Sequence, residues 1–152
     1  MALTMKDVIQ WLLPDEANLN RAAAILGAEA LPHLAELVDG DDLMLASKAT
    51  WVAGMIPDPR GAEIVLRAAK RSEKVMRVAA ALVADKMPPE RTGAILTTLL
   101  RDEDAETRGM AINAVKPESP QEVVAALSAV ANEDQNAYLR GRSEEALRRC
   151  SR

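Results

Sequence analysis

A short polar segment recurs in this chain every 31 residues. The four segments are Asp39–Asp42, Lys70–Glu73, Arg101–Asp104 and Asn132–Gln135. The apolar residues before each segment keep one register, and they are separated by three and four positions, which is the spacing of one helix face. A fixed period of this length is typical of stacked helical repeats. We therefore expect a solenoid in which neighbouring units bury one another's apolar faces.

The residues that follow each polar segment predict a second helix in every unit. Ala49, Ala80 and Ala111 share one slot of this helix at the same spacing. Pro57 and Pro88 also lie 31 residues apart. They mark the end of the helix, because proline cannot continue its hydrogen-bond ladder. Each unit is thus predicted to consist of helix A, a polar turn, helix B and a proline-marked loop.

The period divides residues 1–152 into a single domain of about five helix pairs. The predicted units span approximately residues 4–27, 28–58, 59–89, 90–118 and 119–150. Arg108 and Arg140 occupy equivalent places but lie 32 residues apart, which predicts a one-residue insertion in the last polar turn. Asp58-Pro59 and Ser119–Glu122 have the pattern of helix starts, and we interpret the second as a capping box.

Composition favours an all-α fold. Hydrophobic residues make up 49% of the chain, alanine occurs 28 times, and phenylalanine is absent. Alanine and leucine with abundant glutamate, lysine and arginine favour helices, and small side chains let helices approach closely. The β-branched and aromatic residues that strands prefer are too sparse for a sheet.

The net charge of −4 argues against a general nucleic-acid binder, which usually has a basic excess. The single cysteine, Cys150, excludes an intrachain disulfide and fits a reducing compartment. The first residues lack the apolar region of a signal peptide, and no apolar run reaches the roughly 18 residues of a membrane span. We expect a cytoplasmic, bacterial-type protein without membrane contact.

Two junctions between helices resemble a known repeat family. They are Arg21–Gly27 followed by Ala30–Leu34, and Leu99–Asp102 followed by Thr107–Val115. Both are similar to junctions of the short bacterial HEAT-like repeats named after phycobilisome lyases. The resemblance covers nearly the whole chain and implies a right-handed α-α superhelix.

The resemblance also implies a structural ladder, in which an aspartate of each turn interacts with an arginine six residues later. The residues that match are Asp102, Arg108, Asp134 and Arg140. The second turn has Arg71 in place of the aspartate, and Ala46 stands where the first arginine would be. We therefore expect the ladder to be interrupted there.

The sequence offers no constellation for catalysis, and we expect neither an enzyme nor a cofactor or metal site. His33 is the only histidine and is expected to be a solvated helix residue. Cys150 is expected to lie on a frayed terminus. The glycines are dispersed, so a phosphate-binding loop is absent from the sequence. Asp39–Asp42 lacks the spacing of an EF-hand loop.

Helix B lines the inner, concave surface in solenoids of the resembling family, and there we expect another protein to bind. The candidate partner-binding residues are Trp51, Met55, Leu82, Asp85, Lys86, Asn113, Lys116 and Arg142. Trp51 would be a good anchor, because aromatic residues dominate binding hot spots. The alternative is that Trp51 packs between neighbouring helices B.

The predicted function is a non-catalytic scaffold or adaptor, as a monomer or a weak homo-oligomer. One alternative resembles the alkylpurine DNA glycosylases built on HEAT-like repeats, with Trp51 and Asp85 as the nearest candidates for the site. Another is a lyase or chaperone that handles a bilin, which the repeat type permits.

Overall fold

The computed structural model describes residues 2–151, and these form an all-helical array with no strand among them. Two short 3-10 turns lie at Gly27–Ala30 and Pro89–Arg91. The α-helices, numbered in chain order, are Met5–Leu12 (α1), Leu19–Leu26 (α2), Leu31–Val38 (α3), Leu43–Met55 (α4), Pro59–Ala69 (α5), Lys74–Ala84 (α6), Gly93–Leu99 (α7), Ala105–Ala114 (α8), Gln121–Glu133 (α9) and Ala137–Cys150 (α10).

The helices form two layers. The odd-numbered helices contact one another in chain order, and so do the even-numbered helices, while consecutive helices pack across the two layers. In the middle of the array, the even-numbered helices pack against one another more extensively than the odd-numbered ones do. Gly54 allows part of this close approach, because a Cβ atom there would lie 2.5 Å from Cγ2 of Val83 on the next even helix.

The predicted apolar slots form the core between the layers. Leu34, Val65, Leu96 and Leu127 are fully buried on the odd helices. Alanine fills the matching slot of the even helices at 49, 80 and 111, and these side chains are also fully buried. In α10 the slot is taken by Ser143, which is buried as well. One continuous hydrophobic cluster therefore runs from α1 to α10.

Polar residues in the turns define where most even helices begin. Asp42, Asp104 and Asn136 are N-caps, and each side chain accepts a hydrogen bond from the backbone N–H three residues later. From α4 onward the even helices begin at residues 43, 74, 105 and 137. Asp58 caps α5 in the predicted manner, with Pro59 as the first helical residue.

The predicted capping box at Ser119–Glu122 is wrong. The N-cap of α9 is Pro120, which has an extended ψ of 154° and makes no side-chain capping bond. The Ser119 hydroxyl instead accepts a hydrogen bond from the backbone N–H of Lys116 at 2.9 Å, so it stabilises the preceding turn. A complete capping box occurs at α1, between Thr4 and Asp7.

None of the described helices combines the length and the apolar character that crossing a membrane would require.

Candidate functional site

The outward surface of the even layer carries most of the exposed apolar side chains. We call this surface the even face. It consists of Met44, Lys48, Trp51 and Met55 on α4; Val75, Ala79 and Leu82 on α6, with Asp85 and Lys86 just beyond; Glu106, Met110 and Asn113 on α8, with Lys116 just beyond; and Tyr138, Arg142, Glu145, Arg148 and Arg149 on α10. All of these side chains are exposed or half-buried.

The apolar part of the even face is formed by four large side chains. Met44, Val75, Leu82 and Tyr138 are 49 to 69% exposed. The other mostly exposed large apolar side chains among the described residues are Leu13, at the end of α1, and Ile25, on α2. Large apolar side chains that stay in water at repeated places on one surface are typical of an interaction site.

Trp51 lies partly against the core and partly at the surface. Its indole N–H donates to the side-chain oxygen of Asn20 on α2 at 2.8 Å, which spans two neighbouring even helices. Met55, one turn later, is half-buried beside the same core. The ring of Trp51 is therefore held in one orientation, and part of it remains accessible.

Asp85, Lys86 and Lys116 form one charged group where α6 and α8 end. The ammonium of Lys116 donates to the Asp85 carboxylate, and that of Lys86 lies 3.5 Å from it. The hydrogen bond from Lys116 holds the pKa of Asp85 below its usual value, so this carboxylate stays ionised at neutral pH. A carboxylate of lowered pKa is poorly suited to act as a general base.

Arg142 and Asn113 meet between α8 and α10. The guanidinium of Arg142 donates to the side-chain oxygen of Asn113 and, at 3.2 Å, to the hydroxyl of Tyr138. Its central carbon lies 5.7 Å from the centre of the Tyr138 ring, within cation–π range. Beside this contact is a groove of about 340 Å³, and Gly109 is among the residues that line it.

Sequence reasoning missed Val75 and Tyr138 as surface residues. Both share a slot with Met44 and Glu106 at the repeat spacing. The signal was therefore available, since three of the four residues in a slot outside the core are apolar. It was overlooked because the slot also contains a charged residue.

The ladder residues connect neighbouring turns. Arg77 Nε donates to the Asp102 carboxylate at 2.7 Å, and Arg108 Nε donates to the Asp134 carboxylate at the same distance. Each arginine also donates to a backbone carbonyl six residues before it, as Arg108 does to Asp102 and Arg140 to Asp134. The matched residues of one turn thus touch through the backbone, while each carboxylate binds the arginine of the preceding unit.

Arg71 bridges the place where an interruption was expected. Its guanidinium donates to the backbone carbonyls of Val38 and Gly40, both at 2.7 Å, and pairs with Glu73. Ala46 cannot reach the Gly40 carbonyl six residues before it, so an arginine from the following turn takes that place. The rung is inverted, and the contact between turns is kept.

The two residues singled out for reactive chemistry are held in structural contacts. Nε2 of His33 lies 3.0 Å from the carbonyl oxygen of Leu3, and the ring is half-buried, so the expected full solvation is wrong. Cys150 is half-buried in the last turn of α10 and is not frayed. Burial raises the pKa of its thiol, which lowers its reactivity. In residues 2–151, no group of three or more potential ligands could hold a metal ion.

A family model of HEAT repeats matches residues 65–148, which is more than half of the chain. The chain belongs to the HEAT repeat family. The matched region runs from within α5 to near the end of α10 and contains the ladder contacts. HEAT repeats generally mediate protein–protein interaction and are typically not enzymes. No curated protein matches this HEAT repeat chain.

Proposed function

We propose that this HEAT repeat protein is a non-catalytic scaffold or adaptor that binds a partner protein through the even face. The proposal rests on one observation, which is that Met44, Val75, Leu82 and Tyr138 are largely exposed on this one surface. The residues proposed to contact the partner are Trp51, Met55, Leu82, Asp85, Lys86, Asn113, Lys116 and Arg142.

The packing of the two layers supports a concave even face. In the middle of the array the even helices pack more extensively than the odd ones. A two-layer array bends toward the layer whose helices lie closer together. A concave surface surrounds a partner better than a flat one does, and curved solenoids commonly bind along that side.

The charged groups of the even face support binding rather than catalysis. Asp85 is paired with Lys116, and Arg142 is hydrogen-bonded to Asn113. Groups held in this way fix the shape of a surface. They also position charges at the rim of an interface, where charges govern specificity and association rate.

Affinity capture from lysate of the source cells would test the proposal. We would compare wild type with Leu82→Glu, which places a charge at the centre of the even face. Leu13→Glu is the matched control, because Leu13 is 52% exposed and Leu82 is 49% exposed. We expect one protein to be captured by wild type and by Leu13→Glu, with at least about a ten-fold loss for Leu82→Glu.

Circular dichroism would establish that all three chains are folded. Equal capture by the three would contradict the even face as the binding surface. Capture of only a nucleic acid or a pigment would contradict the scaffold function itself.

A further inference from the structure

Positive charge on the even face is not fully neutralised within residues 2–151. The ammonium of Lys48 donates to the backbone carbonyls of Leu12 and Pro14, at 2.7 and 2.9 Å, and not to a carboxylate. The guanidinium of Arg142 likewise donates to an amide and a hydroxyl oxygen.

A third positive charge remains where α6 and α8 end. Lys86 and Lys116 share the single carboxylate of Asp85, so one charge of this group is unmatched. Lys86 is 59% exposed and is the more accessible of the two lysines. Unmatched cations therefore lie near α4, near α6 and α8, and on α10.

These cations flank apolar side chains in a regular order. Lys48, Ala79, Met110 and Arg142 occupy one slot of four successive even helices, with the cations at the two ends. The next slot brings Trp51 and Leu82 beside them. Packed helices lie about 8–10 Å apart, so the four span about 27 Å, which is the length of a helix of about 18 residues.

The charge of the even face is opposite in sign to that of the chain. Its cations are Lys48, Lys86, Lys116, Arg142, Arg148 and Arg149, and its anions are Asp85, Glu106 and Glu145. The face thus has an excess of cations, whereas the net charge of the chain is −4. An acidic partner would be attracted to this surface and repelled by the remainder of the molecule.

We propose that the even face binds an acidic amphipathic helix of a partner protein, lying across the even helices with its apolar side on Trp51, Leu82 and Met110. This inference rests on the proposed function and adds the chemistry of the partner. Apolar side chains at the centre favour a protein helix over a nucleic acid, since a nucleic acid needs a dense row of cations along its phosphates.

The test uses two synthetic peptides and a DNA duplex. Both peptides have about 18 residues and the same leucine stripe, and one has glutamates on its polar side where the other has lysines. Binding would be measured by titration calorimetry. We expect the glutamate peptide to bind at least about ten-fold more tightly than the lysine peptide.

Two double variants locate the effect. Lys86→Glu with Arg142→Glu reverses two cations of the even face, and we expect it to abolish the preference for the glutamate peptide. Lys6→Glu with Arg101→Glu changes the net charge equally at exposed residues outside the even face, and we expect it to keep the preference.

Several outcomes would overturn the inference. They are equal or tighter binding of the lysine peptide, tighter binding of the duplex, an unchanged preference in the Lys86→Glu, Arg142→Glu variant, or no binding of either peptide. If the Leu82→Glu variant still loses its partner from lysate in that case, the proposed function stands and only the acidic chemistry fails.

Discussion

Ser143 replaces, in α10, the alanine that fills the same slot of α4, α6 and α8. Its side chain is fully buried, and its hydroxyl oxygen has no hydrogen-bond partner within residues 2–151. A buried polar group without a partner costs about 1–3 kcal/mol. We therefore expect Ser143→Ala to raise the free energy of unfolding by about 1 kcal/mol, which would be measured by urea and thermal denaturation.

Ser128→Ala is the control for this change, because Ser128 is a half-buried serine on the neighbouring helix α9. We expect it to alter stability by less than about 0.5 kcal/mol. A loss of stability in Ser143→Ala would show that the hydroxyl has a partner in solution.

At the scale of the helix pair, the ladder joins turns that are distant in sequence. Arg108 and Asp134 meet through two hydrogen bonds of 2.7 and 3.0 Å, and their side chains are only 16 and 5% exposed. Burial alone would raise the pKa of Asp134. The hydrogen bonds from Arg108 and from the backbone N–H of Asn136 lower it more, so its pKa lies below the usual 3.8.

We expect Asp134→Asn to lower the free energy of unfolding by about 2 kcal/mol at pH 7, since Arg108 then loses its counterion in a largely buried place. The pKa of Asp134 is lower in the folded than in the unfolded chain. Its contribution is therefore present above about pH 4 and is lost as the pH falls through the folded pKa. Urea denaturation from pH 7 to pH 2.5 should show the difference between the two proteins shrinking.

Asp15→Asn serves for comparison, because Asp15 is an exposed aspartate of the first turn. Its stability should follow that of wild type across the same range. A deficit of Asp134→Asn that stayed constant down to pH 2.5 would mean that the carboxylate charge is not what Arg108 requires.

At the scale of the whole molecule, helices in the middle of the array have neighbours on both sides. α4 packs against α2 and α6 in its own layer and against α3 and α5 in the other. α1 begins with a complete capping box but lies at the edge of the array. In repeat proteins, stability depends on such contacts between neighbours.

Hydrogen exchange should reflect this arrangement. We expect backbone amides of α4 and α6 to exchange at least about ten-fold more slowly than those of α1, measured by mass spectrometry of peptic fragments. Equal protection of α1 and α6 would instead mean that the chain opens only as one cooperative unit.

The sequence by itself determined the helical class and the positions of the core. Helix-forming composition and apolar slots at helical spacing predicted residues such as Leu96 and Ala80, and these are buried. Asp58-Pro59 predicted a helix start correctly, because a cap and a fixed φ act within a few residues of the chain. Ser119–Glu122 failed, because the turn before Pro120 used the serine hydroxyl first.

The tertiary structure decided which distant groups meet. The period places Asp102 and Arg108 in equivalent slots, but it does not give the offset between neighbouring units. That offset brings Asp102 to Arg77, which lies 25 residues earlier. It also lets Arg71 take over the bond that Ala46 cannot make, and it leaves Lys48 and Arg142 without carboxylates on the even face. Such contacts depend on how neighbouring units pack in three dimensions, whereas periodicity reports only the pattern within each helix.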